Sequence, residues 1–336
     1  MKNIDDFLTS LEKHQMFVLV KKKDLLENCG SRMLGWRNDG IGSRLAAYVN
    51  LVRLSKKLKK EFTFYWDLRS DKDSPSYPNN LSTDIDYYLP NLKNIKFFNS
   101  RNQSISKKSI TEWKIIITEG ENKKKVLKDW CKIVSSIFIG CKVEKKKLFK
   151  NYDYGLHVRI GDLEVLTTRT NQDKNYFSYR EAFYLGKCYP EIFWTKIANN
   201  LKKKFLVSSS NYKKVKKLFS QKKNILYMDN FTSKSQNETY NFLFDIVSVS
   251  QVKNIICSIY SGSGLILSCL TSNKVYSPEK FLKIEDIFFE FHKICQTSFI
   301  KHNSSKLLIQ HNIQFFLSKI IILKNKFFEY FKTIKY

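Results

Sequence analysis

The sequence has no paired cysteines. Cys29, Cys131, Cys141, Cys188, Cys257, Cys269 and Cys295 are odd in number and never form a C-x-x-C. Neither a zinc ribbon nor a disulfide framework is therefore indicated, and reduced, mostly buried thiols are expected. No stretch reaches about 18 uninterrupted apolar residues, so no ordinary membrane-spanning helix is expected. The first residues, with Asp5, Asp6, Glu12 and Lys13, lack the apolar core of a signal peptide, which leads to the expectation of a cytoplasmic protein. Acidic residues are scarce: 31 Asp plus Glu face 59 Lys plus Arg, a formal charge of +28. Such a surplus calls for an anionic counterpart, whether nucleic acid, membrane surface or phosphorylated substrate. Lysine carries most of it, in scattered runs at Lys21–Lys23, Lys56–Lys60, Lys123–Lys125 and Lys145–Lys147. Runs of that kind are commonly solvated faces, so the charge alone names no partner. No helix-turn-helix, zinc-finger or RRM signature accompanies it.

What the chain does have is core-forming material. Hydrophobic residues make up 43%, with 26 Phe and 18 Tyr, over 336 residues. That excludes a disordered chain and allows one long domain or two medium ones.

Chemistry concentrates around Gly155-Leu156-His157-Val158-Arg159-Ile160-Gly161-Asp162. The alternation of Leu156, Val158 and Ile160 predicts a short strand with His157 and Arg159 on the opposite face. Gly161 permits a turn, and Asp162 can brace that turn or the arginine. A guanidinium at a strand end suits bidentate binding of phosphate or carboxylate, although an Arg159–Asp162 salt bridge would use the same residues.

Two glycine-bearing loops flank this stretch. Gly40-Ile41-Gly42-Ser43-Arg44 opens a helical pattern (Leu45, Tyr48, Val49, Val52), and Phe62-Thr63-Phe64-Tyr65-Trp66 follows as a strand. Strand, glycine turn, helix and strand make a βαβ unit. The loop lacks the third glycine of a dinucleotide fingerprint. Ser258-Ile259-Tyr260-Ser261-Gly262-Ser263-Gly264 lies between the apolar run Ile255-Ile256-Cys257 and a helical pattern over 265–270. It lacks the Gly-Lys-Ser/Thr of a P-loop. Both loops can offer N–H groups and hydroxyls to an anion, or can serve as a tight turn and a helix cap at Ser261 or Ser263. Between residues 153 and 276 short apolar runs alternate with helical patterns at βα spacing, which predicts a doubly wound parallel sheet. A boundary is expected near residues 145–153. Residues 286–336 read as basic helices that either pack back on the protein or lie on an anionic membrane surface.

Taken together, these stretches resemble the fucosyltransferase superfamily that contains the nodulation, core α-1,6- and α-1,2-fucosyltransferases. His157-Val158-Arg159-Ile160-Gly161-Asp162 is similar to its H-V-R-R-x-D motif. Gly40–Leu45 with Phe64-Tyr65-Trp66-Asp67 resembles its glycine loop, helix and Trp-ended strand. Phe205–Ser210 stands where the family has a strand ending in T-D-D. Asp245-Ile246, Ser250-Gln251 and Ile256–Ser261 resemble its L-D-I…S-Q-A-D…C-T-F-S-S segment. The order is preserved over most of residues 33–276.

The resemblance implies a GT-B-like α/β fold: two Rossmann-like doubly wound domains facing a cleft, followed by basic C-terminal helices. Residues 1–150 would form the acceptor-side domain with the glycine loop at 40–44. Residues 151–285 would bind the nucleotide sugar, and 286–336 would be the basic helices. It implies inverting transfer of fucose from GDP-fucose to a glycan or lipid-linked saccharide, with no metal and no further cofactor. Arg159 would neutralise the leaving diphosphate, and Glu164 is the candidate base. His157, Asp162, Ser210, Asp245, Ser258, Ser261, Gly262, Ser263, Gly264, Gly40, Gly42 and Ser43 would complete the donor site. The expected setting is cytoplasmic and peripheral to the inner face of a membrane, without nucleic acid. Ile160 replaces the family's second arginine and Ser210 its guanine-side carboxylate, so another nucleotide sugar stays open as donor. A nucleic-acid-binding protein and an inactive, glycan-binding relative are the alternative readings.

Overall fold

The computed structural model describes residues 4–13, 15–28, 31–37, 40–67, 84–98, 109–144, 147–159, 191–209, 211–232, 237–259 and 261–281. The Asp162, Glu164 and Ser210 positions and the segment 286–336 therefore lie outside the described residues.

The chain is a mixed α/β protein whose sheet pairings are all parallel among the described residues. Helix α1 (Ile4–Lys13) leads to β1 (Phe17–Val20), a short α2 (Lys22–Asn28) and β2 (Arg32–Arg37). The 18-residue α3 (Ile41–Leu58) and β3 (Glu61–Asp67) complete the expected βαβ unit. After α4 (Ile85–Tyr88) come β4 (Ile95–Phe98), β5 (Ile115–Thr118) and α5 (Lys123–Ile137). Strands β2, β3 and β4 form one sheet, and β1 pairs with β5. A single bridge, Gly35 to Ile110, ties the chain entering β5 to the free edge of β2.

Helix α3 is buried nearly all round, not only on its apolar stripe: Arg44, Asn50, Arg53 and Ser55 are as enclosed as Leu45 and Leu51. Buried polar groups need partners, and Asn50 shows how they are supplied. Its Nδ2 donates to the carbonyls of Glu112 (2.8 Å) and Lys114 (2.6 Å). Its Oδ1 accepts from Ile116 N (3.1 Å) and Trp130 Nε1 (3.0 Å). The amide thus stands in for a missing strand where the chain leaves β2 and joins β1. Arg53 reaches the Ile116 carbonyl and pairs with Glu121 at 2.8 Å, and Lys57 joins the same carboxylate at 2.8 Å. Burial alone would raise the Glu121 pKa, but the bonds from Arg53, Lys57 and Thr118 N outweigh it and hold it at about 2.

The second sheet is built from β6 (Tyr154–Val158), β7 (Phe205–Ser209), β8 (Ile225–Tyr227), β9 (Asn254–Cys257) and β10 (Lys274–Tyr276). Its order is β10-β9-β6-β7-β8, so the winding reverses between β6 and β9. Helices α6 (Glu191–Leu201) and α7 (Tyr212–Leu218) cover one face through Phe193, Trp194, Ile197 and Val215. Helices α8 (Glu238–Val249) and α9 (Gly262–Leu270) cover the other through Leu243, Ile246, Leu265 and Ile266. That second face merges with the buried residues of α1, α3 and α5 in one continuous cluster. Among the described residues no helix is long and apolar enough to cross a membrane.

Candidate functional site

In open α/β sheets the crevice for ligands lies beyond the carboxyl ends of the strands, where the winding reverses. Here that point falls between β6 and β9, whose register sets Leu156 beside Ile256 and His157 beside Cys257. Arg159 and Ser258, the residues that follow, emerge at that edge. The alternation read from sequence holds: Leu156 and Val158 enter the cluster beneath α6 and α7, while His157 faces α9.

His157 is 8% exposed and both its ring nitrogens are engaged. Nδ1 lies 2.8 Å from Ser208 Oγ on β7, and Nε2 lies 3.0 Å from Ser263 Oγ on α9. Burial, and secondarily the Arg159 charge, push its pKa down to about 4. The imidazole is therefore neutral at physiological pH, with one nitrogen donating and the other accepting. It pins the start of α9 to the sheet.

The serine loop is organised from within. Ser261 caps α9, its Oγ accepting from Gly264 N at 3.0 Å and donating to the Ser258 carbonyl at 2.9 Å. Its hydroxyl also lies 3.4 Å from Ser263 Oγ, and Ser268 donates to the Gly264 carbonyl at 2.7 Å. Ser258 and Ser261 are each 1% exposed, whereas Ser263 is only half-buried. Of the two sequence readings of this loop, the helix cap is thus realised at Ser261, and Ser263 carries the bond to His157.

The glycine loop at 40–43 does not stand apart from this assembly. Gly42 and Gly262 pack backbone to backbone. A Cβ on Gly262 would sit 2.5 Å from Ser43 Cα and 2.6 Å from Gly42 C, against Ser43 N as well. A Cβ on Gly42 would sit 2.7 Å from Ser263 Cα and 2.8 Å from Gly262 C. The first turns of α3 and α9 therefore meet, and with them the positive ends of two helix dipoles. At the junction Ser43 and Ser263 stay partly exposed, as does Arg159 just past the end of β6.

Asp245 belongs to a separate cluster. It accepts from Tyr212 Oη at 2.6 Å, at the carboxyl end of β7. Burial raises its pKa to about 8, helped by Asp229 and opposed by the Tyr212 bond. Sequence reasoning missed Ser208 and Tyr212 as the partners of His157 and Asp245. The signal for Ser208 is its place in register beside His157, which depends on knowing that β7 is the neighbour of β6. It also passed over Arg44 as a site residue; in the first turn of α3 it is 6% exposed, with its guanidinium carbon 5.5 Å from the centre of the Trp66 ring. Among the described residues no group of three or more His, Cys, Asp or Glu gathers in a metal-binding cluster.

No protein-family model matches the chain, and no curated protein matches its sequence. Among solved structures, POFUT1 in complex with GDP is similar at a TM-score of 0.33 and 9% identity, over 74% of this chain and 98% of that one. NodZ alpha-1,6-fucosyltransferase soaked with GDP-fucose is similar at a TM-score of 0.32 and 10% identity, over 72% of this chain and 92% of that one. The NodZ structure co-crystallized with GDP gives 0.32 and 9% over the same shares, 72% and 92%.

Proposed function

We propose that the chain is an inverting glycosyltransferase that uses a nucleotide-diphosphate sugar, with GDP-fucose as the first donor to test. The carrying observation is that Arg159 follows β6, two residues beyond the His157 that bonds the first turn of α9, at the reversal point of the sheet where the first turns of α3 and α9 pack together. Three sources of positive potential meet there: one guanidinium and two helix starts. Departure of a nucleoside diphosphate from a sugar develops negative charge on the leaving phosphate, and fixed donors at that point lower the barrier without reorganising. Arg159 takes the charge-stabilising role. The partly exposed hydroxyls of Ser43 and Ser263 hydrogen-bond the diphosphate or ribose. Neutral His157, held by Ser208, orients Ser263. It adds no charge of its own.

The acceptor, a glycan or a lipid-linked saccharide, enters from the side of residues 1–150 and loses its proton to a carboxylate, for which Glu164 is the candidate. Residues 1–150 and 151–285 act as the two Rossmann-like halves, and neither a metal nor a further cofactor is required. Asp245, part-buried against Tyr212, supports the wall of the donor site from behind β7.

The test is a thermal-shift panel of the full chain with GDP, UDP, CDP, ADP, GDP-fucose and GDP-mannose, with and without Mg²⁺. A ligand that binds only the folded state raises the melting temperature. Selective stabilisation by GDP and GDP-fucose without metal, abolished in Arg159→Ala, is the expected result. Stabilisation by another nucleotide changes the donor. No response to any of them, with salt-sensitive binding to DNA or RNA instead, defeats the reading.

A further inference from the structure

The two edges of the five-stranded sheet differ in chemistry. At the carboxyl edge, the first described residues after the strands are Arg159, Asn211, Met228–Asn230, Ser258-Ile259 and Ser277, without a lysine. At the amino edge three of the five strands, β8 and β7 side by side and β9 beyond β6, are entered through lysine. Lys202, Lys203 and Lys204 precede β7, Lys222 and Lys223 precede β8, and Lys253 precedes β9; all six are exposed. The register places Tyr154, Phe205 and Ile225 side by side with Asn254, so these lysines lie along one line. Strand spacing makes the line from β8 to β9 roughly 14 Å wide. Among the described residues none of the six has an ion pair. Asp153, which precedes β6, uses a carboxylate oxygen to accept from Lys204 N at 3.0 Å. A groove of 330 Å³ runs between Lys202-Lys203 and Lys222-Lys223. It adjoins a second of 450 Å³ that shares Asn199, Gln221 and Lys222 with it.

We propose that this amino-edge lysine platform is a docking surface for an anionic membrane. Charge complementarity argues for the occupant. The row is wider than one phosphate group and carries lysine rather than arginine, a point charge suited to a diffuse anionic plane rather than to bidentate recognition. The exposed large hydrophobics of the described residues, Leu19, Leu26, Tyr87, Phe97 and Ile139, all lie elsewhere. Among the described residues the platform therefore offers no fully exposed ring on which bases would stack, Tyr154 being half-buried against Phe205 and Phe281, and no exposed apolar wedge to insert. Binding is electrostatic. With the amino edge on the lipid, β6 lifts the Arg159 end roughly 16 Å above it, the length of five strand residues.

The test is co-sedimentation of the full chain with phosphatidylcholine vesicles, with and without phosphatidylglycerol. The reporter variant is K203E/K222E/K223E/K253E. The control K22E/K96E/K128E/K132E lowers the formal charge by the same amount, from +28 to +20 because each exchange removes two charges, and is placed on α2, β4 and α5. The platform variant is expected to lose at least about 100-fold in partitioning to phosphatidylglycerol vesicles, at about 1 kcal/mol per lysine near the surface. The control is expected to stay within about 10-fold of the parent, and parent binding is expected to vanish at 1 M salt, where the Debye length is about 3 Å. If the quadruple variant does not fold, the pairs K222E/K223E and K203E/K253E carry the test against the charge-matched pair K22E/K96E, each platform pair with a loss of about 30-fold and the control pair within about threefold of the parent. Equal losses in platform and control variants overturn the proposal. So does binding to pure phosphatidylcholine, or lysine-dependent binding to single-stranded DNA without binding to vesicles. None of these outcomes touches the nucleotide panel, so this surface and the transfer reaction stand or fall separately.

Discussion

Gly262→Ala is the most discriminating single change, because helix propensity and packing predict opposite signs. Alanine in a helix is favoured over glycine by roughly 0.5–1 kcal/mol. Gly262 opens α9 with no positive φ, so propensity alone predicts a small stabilisation. The packing predicts the reverse. The new Cβ would fall 2.5 Å from Ser43 Cα and 2.6 Å from Gly42 C, about 1 Å inside ordinary contact distance. All the atoms it meets are backbone, on a helix that is buried nearly all round. No rotamer change relieves the clash, so the two helix starts must part by about 1 Å. Overpacking of this kind costs 1–3 kcal/mol, and the rigidity of α3 puts the expectation near about 3 kcal/mol. The same displacement would stretch the 3.0 Å contact between His157 Nε2 and Ser263 Oγ. The assay is urea unfolding of the full chain, read as a change in midpoint at constant slope. It is paired with the nucleotide thermal-shift panel. Gly120→Ala is the comparison for backbone strain without a clash: nothing lies within 4 Å of the added carbon, and its φ of +77° alone should cost about 1–2 kcal/mol. If Gly262→Ala unfolds within about 0.5 kcal/mol of the parent, the close approach of α3 and α9 is refuted, and with it the geometry proposed for the donor phosphates.

Three further outcomes follow from buried polar groups. His157 has a folded pKa near 4, below its ordinary 6.5, so its contribution is present above pH 6.5 and is lost as pH falls towards 4. His157→Gln does not titrate, and its unfolding free energy should gain about 3 kcal/mol relative to the parent between pH 7 and pH 4; a pH-independent difference would contradict a buried neutral imidazole. Glu121, held at about 2 against an ordinary 4.5, stabilises above pH 4.5 and ceases to do so as pH falls through 2. Glu121→Gln should cost about 3 kcal/mol at pH 7 and progressively less in acid, and an equal loss at both ends would deny the link to Arg53 and Lys57. Asn50→Leu removes the partners of Trp130 Nε1, Ile116 N and two carbonyls. A loss of roughly 3–5 kcal/mol is expected in urea unfolding, and a near-neutral result would mean that water replaces the amide.

The strands and helices that bear the site were legible because their signals are local. Leu156 and Val158 alternate with His157, and Ser261 stands just before an apolar helix. Among the elements not legible in the sequence, β5 at Ile115–Thr118 lacks such a signal. All four of its residues are buried, so it shows no period of two. It becomes a strand because β1 offers a parallel edge and Asn50 satisfies the carbonyls of Glu112 and Lys114 just before it. The bond from His157 to Ser263 spans 106 positions. It exists because β9, not β8, lies beside β6, an order that no residue type encodes.

Glycine is the most instructive case, because the same missing Cβ serves an anion-cradling loop and a close helix crossing. In the sequence, Gly40-Ile41-Gly42 and Gly262-Ser263-Gly264 suit both uses. In the folded chain Gly42 and Gly262 fill each other's space, so neither can admit a phosphate into the crossing itself. A diphosphate at this junction must then sit on the outer rim, against Arg159 and the part-exposed hydroxyls of Ser43 and Ser263. Recognition would depend on one guanidinium and two helix ends rather than on a glycine cradle. Under the proposed function, the two helix dipoles that meet here would supply positive potential where the resembled family has a second arginine and this sequence has Ile160.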